Sequence, residues 1–275
     1  MKKHSFRAIF ALLLITSIPA ISWVSASKSH LKFFDSAGDE GGEKSKSTTT
    51  NASSSAELFV QHVNSVYEQA GLAESGLDQH VFKKALVGYY NLKKTQLLSA
   101  QKAVITIIDF SKKSSQKRLW IVDLANNKLL FHTLVAHGQG SGLDMATSFS
   151  NQPNSHQSSL GFYVTSDTYQ GKHGLSMRLE GMDKGFNTNA MDRAVVVHGA
   201  DYVSESFVKT HGRLGRSHGC PALPTDLTKT IINVIKGQTC LFINGPEEKY
   251  NSNFLDQNIA VSNFISTAKT VQASI

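Results

Sequence analysis

The sequence predicts an α+β protein, with a mostly β domain at about 101–250 preceded by a short helical segment at 55–100. Two observations support this prediction. Apolar residues recur at helical intervals before residue 100, whereas short β-branched and aromatic runs separated by Gly, Asn, Asp and Ser follow it. Because those runs do not alternate regularly with helices, a doubly wound α/β sheet is disfavoured.

Two helices are predicted in the first part. "SSSAELFVQHVNSVYEQAGL" has a serine cap, spaces Leu58, Val63 and Val66 along one face, and stops at Gly71. "LDQHVFKKALVGYYNLKKTQLL" is the second, and the residues predicted to cover its buried face are Val81, Phe82, Ala85, Leu86 and Tyr89.

Seven strands are predicted after residue 100: "AVITIIDF", "RLWIVDL", "KLLFHTLVAHG", "SLGFYVTSDTY", "LSMRLEGM", "RAVVVHGA" and "TCLFING". Asn126 and Asn127 between the second and third indicate a hairpin, since asparagine tolerates the left-handed turn. One late helix is expected after Pro224, ending at Gly237, and residues 251–275 are interpreted as a C-terminal tail.

The N-terminus has the pattern of a secretory signal peptide at 1–26. A basic start precedes a 14-residue apolar run and small residues at Val24 and Ala26, which predict cleavage near Ala26. The alternative is an uncleaved anchor, but the run is short for a bilayer span. We therefore expect export to the periplasm or cell envelope and no stable membrane span, with 27–54 a polar flexible linker.

Charge argues against one class of partner. The chain has 28 Lys and Arg, three of them in the predicted leader, and 21 Asp and Glu, so the mature protein carries a net charge of +4. A mild positive balance suits an anionic polymer such as a cell wall, or simply solubility. No basic helix or aromatic RNA-binding motif is present, so a nucleic-acid partner is not expected. The oligomeric state is not predicted.

The two cysteines leave two interpretations. In an oxidising compartment Cys220 and Cys240 would by default form a disulfide. Cys240 also fits an apolar strand as a small buried thiol, and "RSHGCPALP" around Cys220 is an unusual setting for a structural cysteine. Composition alone does not decide between a disulfide and free thiols.

The surroundings of Cys220 suit a reactive thiol, which needs a base because a free thiol is mostly protonated at neutral pH. The histidines near it in sequence are His198, His211 and His218. Gly219 permits an unusual φ, and we expect the N–H groups of Gly219 and Cys220 to be free to bind a developing oxyanion. The three histidines with Cys220 are also possible zinc ligands, although the His218-x-Cys220 spacing is cramped.

"HGA" at 198–200 and "SHGC" at 217–220, with 18 residues between His198 and Ser217, resemble the signature of the L,D-transpeptidases, which cross-link peptidoglycan with a cysteine nucleophile. The segment "YQGKHGLSMRLEGMDKGFNTNAMDRAVVVHGADYVSE" also resembles the branch called murein L,D-transpeptidase catalytic domain proteins, and the likeness covers roughly 104–245. It implies an L,D-transpeptidase-like β-sandwich or mixed β domain.

The resemblance assigns roles that the residues alone leave open. It implies that Cys220 is a free, acyl-accepting nucleophile and that His198 is the general base, oriented by the carbonyl of Gly199. Ser217, His218 and Gly219 are implied to shape the nucleophile turn and the oxyanion hole. We therefore expect the His198 ring within hydrogen-bonding reach of the sulfur, peptidoglycan stem peptides as substrates, and no metal or cofactor.

The chain departs from the family pattern after the cysteine. Many members have a hydrophobic residue and then Arg there, whereas this chain has Pro221 and Ala222. The residues considered as replacements for substrate binding are Arg213, Arg216 and Arg178. The departure leaves two alternatives to cross-linking: hydrolysis at the same site as an L,D-carboxypeptidase, and a non-catalytic module that binds the cell wall.

Overall fold

The fold is a mixed eight-stranded sheet with helices on both faces, in a computed structural model that describes residues 46–273 and the side chains of 54–268. The predicted signal peptide and most of the predicted linker lie outside these residues. The strands are β1 (Val104–Asp109), β2 (Leu119–Asp123), β3 (Lys128–Thr133), β4 (Gly161–Gly171), β5 (Gly174–Gly181), β6 (Val196–Gly199), β7 (Ala222–Leu223) and β8 (Cys240–Asn244).

The sheet order is β3-β2-β1-β8-β4-β5-β6-β7. Pairing is parallel between β1 and β8 and between β6 and β7, and antiparallel elsewhere. The β2–β3 hairpin turns at Asn127, whose φ is +48°, as predicted. The predicted α+β class with a mixed β domain is confirmed.

Five helices belong to the described chain: α1 (Lys46–Gln69), α2 (Gln79–Lys94), α3 (Glu205–His211), α4 (Thr225–Ile235) and α5 (Gln257–Ala273). The first two and the last pack on one face of the central strands, in a core that includes Phe82, Trp120 and Phe162. The opposite face is covered by α4 through Ile231 and Ile232. The chain turns that carry the site lead into β6 and into the edge strand β7.

The second predicted helix is confirmed in α2, where all five residues expected on its buried face are buried. Its start is fixed by Asp78, whose side chain accepts hydrogen bonds from the N–H groups of His80 and Val81. A side-chain oxygen at this position satisfies amide groups that have no partner within the helix.

The first helix differs from the prediction in two ways. It begins at Lys46, so residues 46–54, predicted as linker, are helical. Once the buried turns from Phe59 onward are formed, each residue that joins the helix gains one further hydrogen bond. The helix can therefore extend toward its N-terminus. Leu58, predicted on the buried face, is 48% exposed, and Phe59 packs into the core instead.

The last segment is also helical. Residues 251–275 were predicted as a tail, yet α5 occupies Gln257–Ala273 and packs on α1 and α2. Asn91 of α2 donates to the carbonyls of Phe254 and Asp256, at 2.8 and 2.9 Å, and accepts from Asn263 at 3.0 Å. These hydrogen bonds explain why the segment is attached to the domain. None of the helices in 46–273 is both long and apolar enough to span a bilayer.

Arg118 and His137 form a buried pair that supports the segment after β3, which leads to the site. The Arg118 guanidinium donates to the carbonyls of Lys112 and Val135 and to Nδ1 of His137, the last at 2.7 Å. Since that nitrogen accepts, the ring proton is on Nε2. Burial, and then the charge of Arg118, lower the pKa of His137 to about 4.

The His137 pKa predicts a loss of stability in acid. An unfolded histidine takes up a proton near pH 6.5, whereas folded His137 does so only near pH 4, so the free energy of unfolding falls as the pH drops between these values. For this residue the loss is about 3 kcal/mol at the acid end. We expect His137→Asn, which keeps an acceptor for Arg118, to weaken the pH dependence in urea denaturation at pH 7.5 and 4.5.

The control for that measurement is His80→Asn, because His80 is exposed near the start of α2. This control should retain the wild-type pH dependence. An unchanged pH dependence in His137→Asn would contradict the assignment of a neutral, buried His137.

Candidate active site

The turn Ser217–Cys220 enters β7 and is fixed by its own side chains. Ser217 Oγ accepts from the N–H of Gly219 at 3.0 Å and donates to the carbonyl of Cys220 at 2.6 Å. Gly219 has φ +122°, and a β-carbon there would lie 2.8 Å from the carbonyl oxygen of Gln157. Ser217 and Gly219 therefore let the turn pack closely against the segment that contains Gln157.

The expectation that two amide groups are free for an oxyanion is wrong for one of them. The N–H of Gly219 is directed at Ser217 Oγ, because the turn uses that bond to hold its shape. The N–H of Cys220 makes no hydrogen bond within the described chain. It is the donor that this turn leaves available beside the sulfur.

The Cys220 thiol is half-buried and free, and Cys240 is free and fully buried in β8. The sulfur accepts the N–H of Val196 at 3.4 Å and its S–H points to the carbonyl of Ala194 at 3.7 Å. Burial raises the pKa of the thiol, while the Val196 N–H and the charge of Arg193 lower it. Because burial is the largest effect, the resting group is a thiol and requires a base.

His198 lies near the end of β6, where the strand holds its ring in a buried position. Its Nδ1 donates to the carbonyl of Gly199 at 2.9 Å, so Nε2 carries the lone pair. Burial lowers the pKa of His198; the Gly199 carbonyl raises it, and His173 and Lys172 lower it. The ring is therefore neutral at pH 7 and can accept a proton.

His198 and Cys220 lie on neighbouring segments of the chain, and no hydrogen bond joins their side chains. β6 pairs in parallel with β7 so that His198 is opposite Ala222, which places Cys220 two residues before that partner. The expected direct contact is absent in this resting arrangement, because the sulfur is already engaged by the Val196 and Ala194 backbone.

Imidazole rings stack in pairs around this turn. His173, from the β4–β5 connection, stacks on His198 with ring centres 4.5 Å apart. His218 of the nucleophile turn is exposed and stacks on His156 at 4.3 Å. His218 therefore makes its ring contact with the adjoining loop, and His173 is a contact of the candidate base that the sequence did not indicate.

The cysteines and histidines left two other arrangements open, a disulfide and a zinc site. No disulfide joins Cys220 to Cys240. For zinc, no group of three or more His, Cys, Asp or Glu side chains within the described residues is placed to hold a metal ion. His211, one of the four possible ligands, packs on Phe207 within α3.

The three arginines considered for substrate binding do not meet at the turn. Arg216 donates to the carbonyl of Gly142 at 2.9 Å and Arg213 to that of Leu214 at 2.7 Å, so both bind backbone. Arg178 is exposed on β5 and lies 4.7 Å from the centre of the Tyr169 ring. Arg178 is nevertheless opposite Val196 in the sheet, next to the strand that contacts the sulfur.

Two neighbours of Cys220 were not predicted from the sequence. Arg193 has Nη2 3.3 Å from the position of a β-carbon on Gly219, and its charge acts on Cys220. Tyr202 has its pKa raised to about 12 by burial and by Cys220. Both flank the "HGA" motif, but no spacing rule distinguishes them from packing residues.

Residues 73–244 match the model of a protein family described as the L,D-transpeptidase catalytic domain. The chain belongs to this family. The match includes α2 as well as the sheet, so the second N-terminal helix is part of the matched catalytic domain.

The solved structures that this chain is similar to are distant from it in sequence. An L,D-transpeptidase from Mycobacterium smegmatis is 12% identical, with 52% of this chain and 59% of that chain covered and a TM-score of 0.33. The helical cell shape determining protein from Campylobacter jejuni is 12% identical, with coverage of 69% and 65% and a TM-score of 0.38. The chain spans less than two thirds of the length of these structures. A comparison with curated proteins found no match.

This L,D-transpeptidase domain has a structural reason for its departure after the cysteine. Ala222, which stands where many members have Arg, is fully buried and pairs with both His198 and Ala136. An arginine at this position would place a charged side chain in a fully buried site.

Proposed function

We propose that this protein is an exported cysteine L,D-transpeptidase that acts on peptidoglycan stem peptides. The observation that carries the proposal is the arrangement around Cys220: a free thiol on a rigid turn, an available amide beside it, and neutral His198 on the adjoining strand. Within a catalytic domain of this family, the arrangement suits acyl transfer through a thioester.

Acylation begins with proton transfer from Cys220 to Nε2 of His198. The sulfur then attacks the carbonyl carbon of the diamino-acid residue that precedes the terminal D-alanine, and a carbon–sulfur bond forms. The oxyanion accepts the N–H of Cys220, since that amide has no other partner within the described residues. As the carbon–nitrogen bond breaks, protonated His198 gives its proton to the leaving D-alanine amine.

The second half-reaction restores the enzyme. An amine from the side chain of a neighbouring stem attacks the thioester, His198 takes a proton from it, and the carbon–sulfur bond breaks. The proton returns to the sulfur, and the product is an amide between two diamino-acid residues. Water in place of the amine would give L,D-carboxypeptidase activity by the same steps.

The thiol must rotate for the first step. In the resting arrangement the sulfur is held by the backbone of Ala194 and Val196. Rotation about the Cα–Cβ bond of Cys220 would exchange these weak contacts for one with His198. Such tightening on substrate binding is common, because catalytic hydrogen bonds are often long before the substrate is present.

The domain organisation and location are part of the proposal. Residues 1–26 would direct export and be removed, 27 to about 45 would act as a spacer, and the catalytic domain near 101–250 would work with the helices before and after it in the cell envelope. The predicted +4 charge of the mature chain is compatible with an anionic wall polymer.

Product analysis with tetrapeptide muropeptides tests this function. We expect free D-alanine together with dimers joined between diamino-acid residues, both resistant to chelators. If D-alanine is released without dimers even with excess acceptor, the activity is hydrolysis and not transfer. If neither product forms, and the wild type and Cys220→Ala bind peptidoglycan equally, catalysis is contradicted and the wall-binding module is selected.

A further inference from the structure

The site has a cation that no part of the family motif identifies. Arg193 lies in the turn that leads into β6, directly before Ala194 and three residues before Val196. Those two residues supply the carbonyl and the N–H that contact the Cys220 sulfur. Ala194 has φ +51°, a conformation that costs energy for a residue with a side chain, so the surroundings must hold this turn in place.

The Arg193 side chain binds the loop at 150–159 at four points. Nη1 donates to the carbonyl of Ser150 at 2.7 Å and also to Ser159 Oγ. Nη2 donates to the carbonyl of Gln157 at 2.6 Å and to Ser155 Oγ at 3.3 Å. One planar guanidinium thus fixes both ends of the loop, which a lysine ammonium could not do with the same geometry.

The same guanidinium touches the nucleophile turn. A β-carbon on Gly219 would be 3.3 Å from Nη2 and 2.8 Å from the carbonyl of Gln157, so the turn packs directly against the Arg193–Gln157 hydrogen bond. Three parts of the chain therefore meet at Arg193: the loop, the turn that carries Cys220, and the strand entry that contacts its sulfur.

We propose that Arg193 is a positioning residue for the Cys220 nucleophile and supplies a fixed positive charge beside it. This inference rests on the proposed function for its catalytic consequence. Its effects on the thiol and on the loop can be measured without any peptidoglycan substrate.

Among the groups around the Cys220 thiol, Arg193 supplies the fixed charge that acts on it. Tyr202, from the segment after β6, lies near the thiol, and His198 is on β6, which pairs with β7. The ring of His218 in the nucleophile turn stacks on His156. Burial lowers the pKa of His198 and raises that of Tyr202, so neither carries a charge at pH 8, and no carboxylate among the described residues perturbs the Cys220 pKa. Removing Arg193 should therefore favour the protonated thiol.

The test is the rate of Cys220 alkylation by iodoacetamide as a function of pH, read by peptide mapping. In Arg193→Gln we expect a higher midpoint and about tenfold slower alkylation at pH 7, since a nearby opposite charge stabilises a thiolate. In Arg193→Lys the midpoint should stay near the wild-type value. Both variants should show faster hydrogen exchange in 150–159, because neither can bind the loop at four points.

Lys229→Gln is the matched control, because it removes one positive charge from the exposed side of α4. It should change neither the midpoint nor the exchange. An unchanged midpoint in Arg193→Gln would overturn the electrostatic role, and unchanged exchange in both arginine variants would overturn the positioning role. If Arg193→Gln does not fold, Arg193→Lys still decides, since wild-type exchange and D-alanine release in that variant would reject the inference.

The two proposals fail separately. Wild-type protein without D-alanine release, but with a midpoint that depends on Arg193, would reject the transpeptidase and keep the assignment of Arg193. Full D-alanine release by the wild type, with an unchanged midpoint in Arg193→Gln and unchanged exchange in both arginine variants, would keep the transpeptidase and reject the assignment of Arg193.

Discussion

Cys220→Ala is expected to lower D-alanine release from tetrapeptide muropeptides by roughly 10⁴-fold or more, because the variant has no nucleophile. The fold should survive, since Cys220 is half-buried and its turn is held mainly by Ser217 and Gly219. Release of D-alanine by chromatography, with circular dichroism as a check on folding, measures both expectations.

Cys240→Ala is the control for the other thiol. Cys240 is fully buried between β1 and β4, so its truncation should cost about 1–2 kcal/mol of stability and leave D-alanine release intact. Activity that survives in Cys220→Ala, or is lost only in Cys240→Ala, would show that the wrong sulfur has been assigned.

His198→Gln is expected to lower the acylation rate by about 10²–10⁴-fold, the usual contribution of a general base. The wild-type rate should also fall in acid, when His198 becomes protonated. Burial lowers the pKa of this ring, so the midpoint should lie below the ordinary value near 6.5. Stopped-flow acylation across pH 4–8 measures both effects, and the variant should lose this acid limb.

His211→Gln serves as the matched control, because His211 packs on Phe207 in α3 and is not hydrogen-bonded to the turn. It should keep the wild-type rate and pH profile. An acid limb that persists in His198→Gln would assign the base to another residue, and His218 and His173 would be the next to test.

The elements that the sequence predicted well carry strong local patterns. The face of α2 follows helical spacing and its start is marked by Asp78, while the β2–β3 hairpin is marked by paired asparagines. The missed elements lack such patterns. β7 has only two residues after a proline, and α5 is held by packing on α1 and α2 and by the polar contact of Asn263 with Asn91, which no periodicity reveals.

The site was predicted in part for the same reason. The motif identifies Cys220 and His198 because both lie in short, characteristic sequences. The occupied N–H of Gly219, the contacts of the sulfur with Ala194, and the approach of Arg193 depend on chain segments that meet only in the fold. Local spacing therefore predicts the reactive groups, and tertiary contacts decide their hydrogen bonds and charge.

Intact-protein mass spectrometry after incubation with a muropeptide donor or a carbapenem tests the central claim most directly. We expect one covalent adduct, which peptide mapping assigns to residue 220 and which is absent after its replacement by alanine. A folded protein that turns over the donor without any adduct at that sulfur would contradict the thioester mechanism.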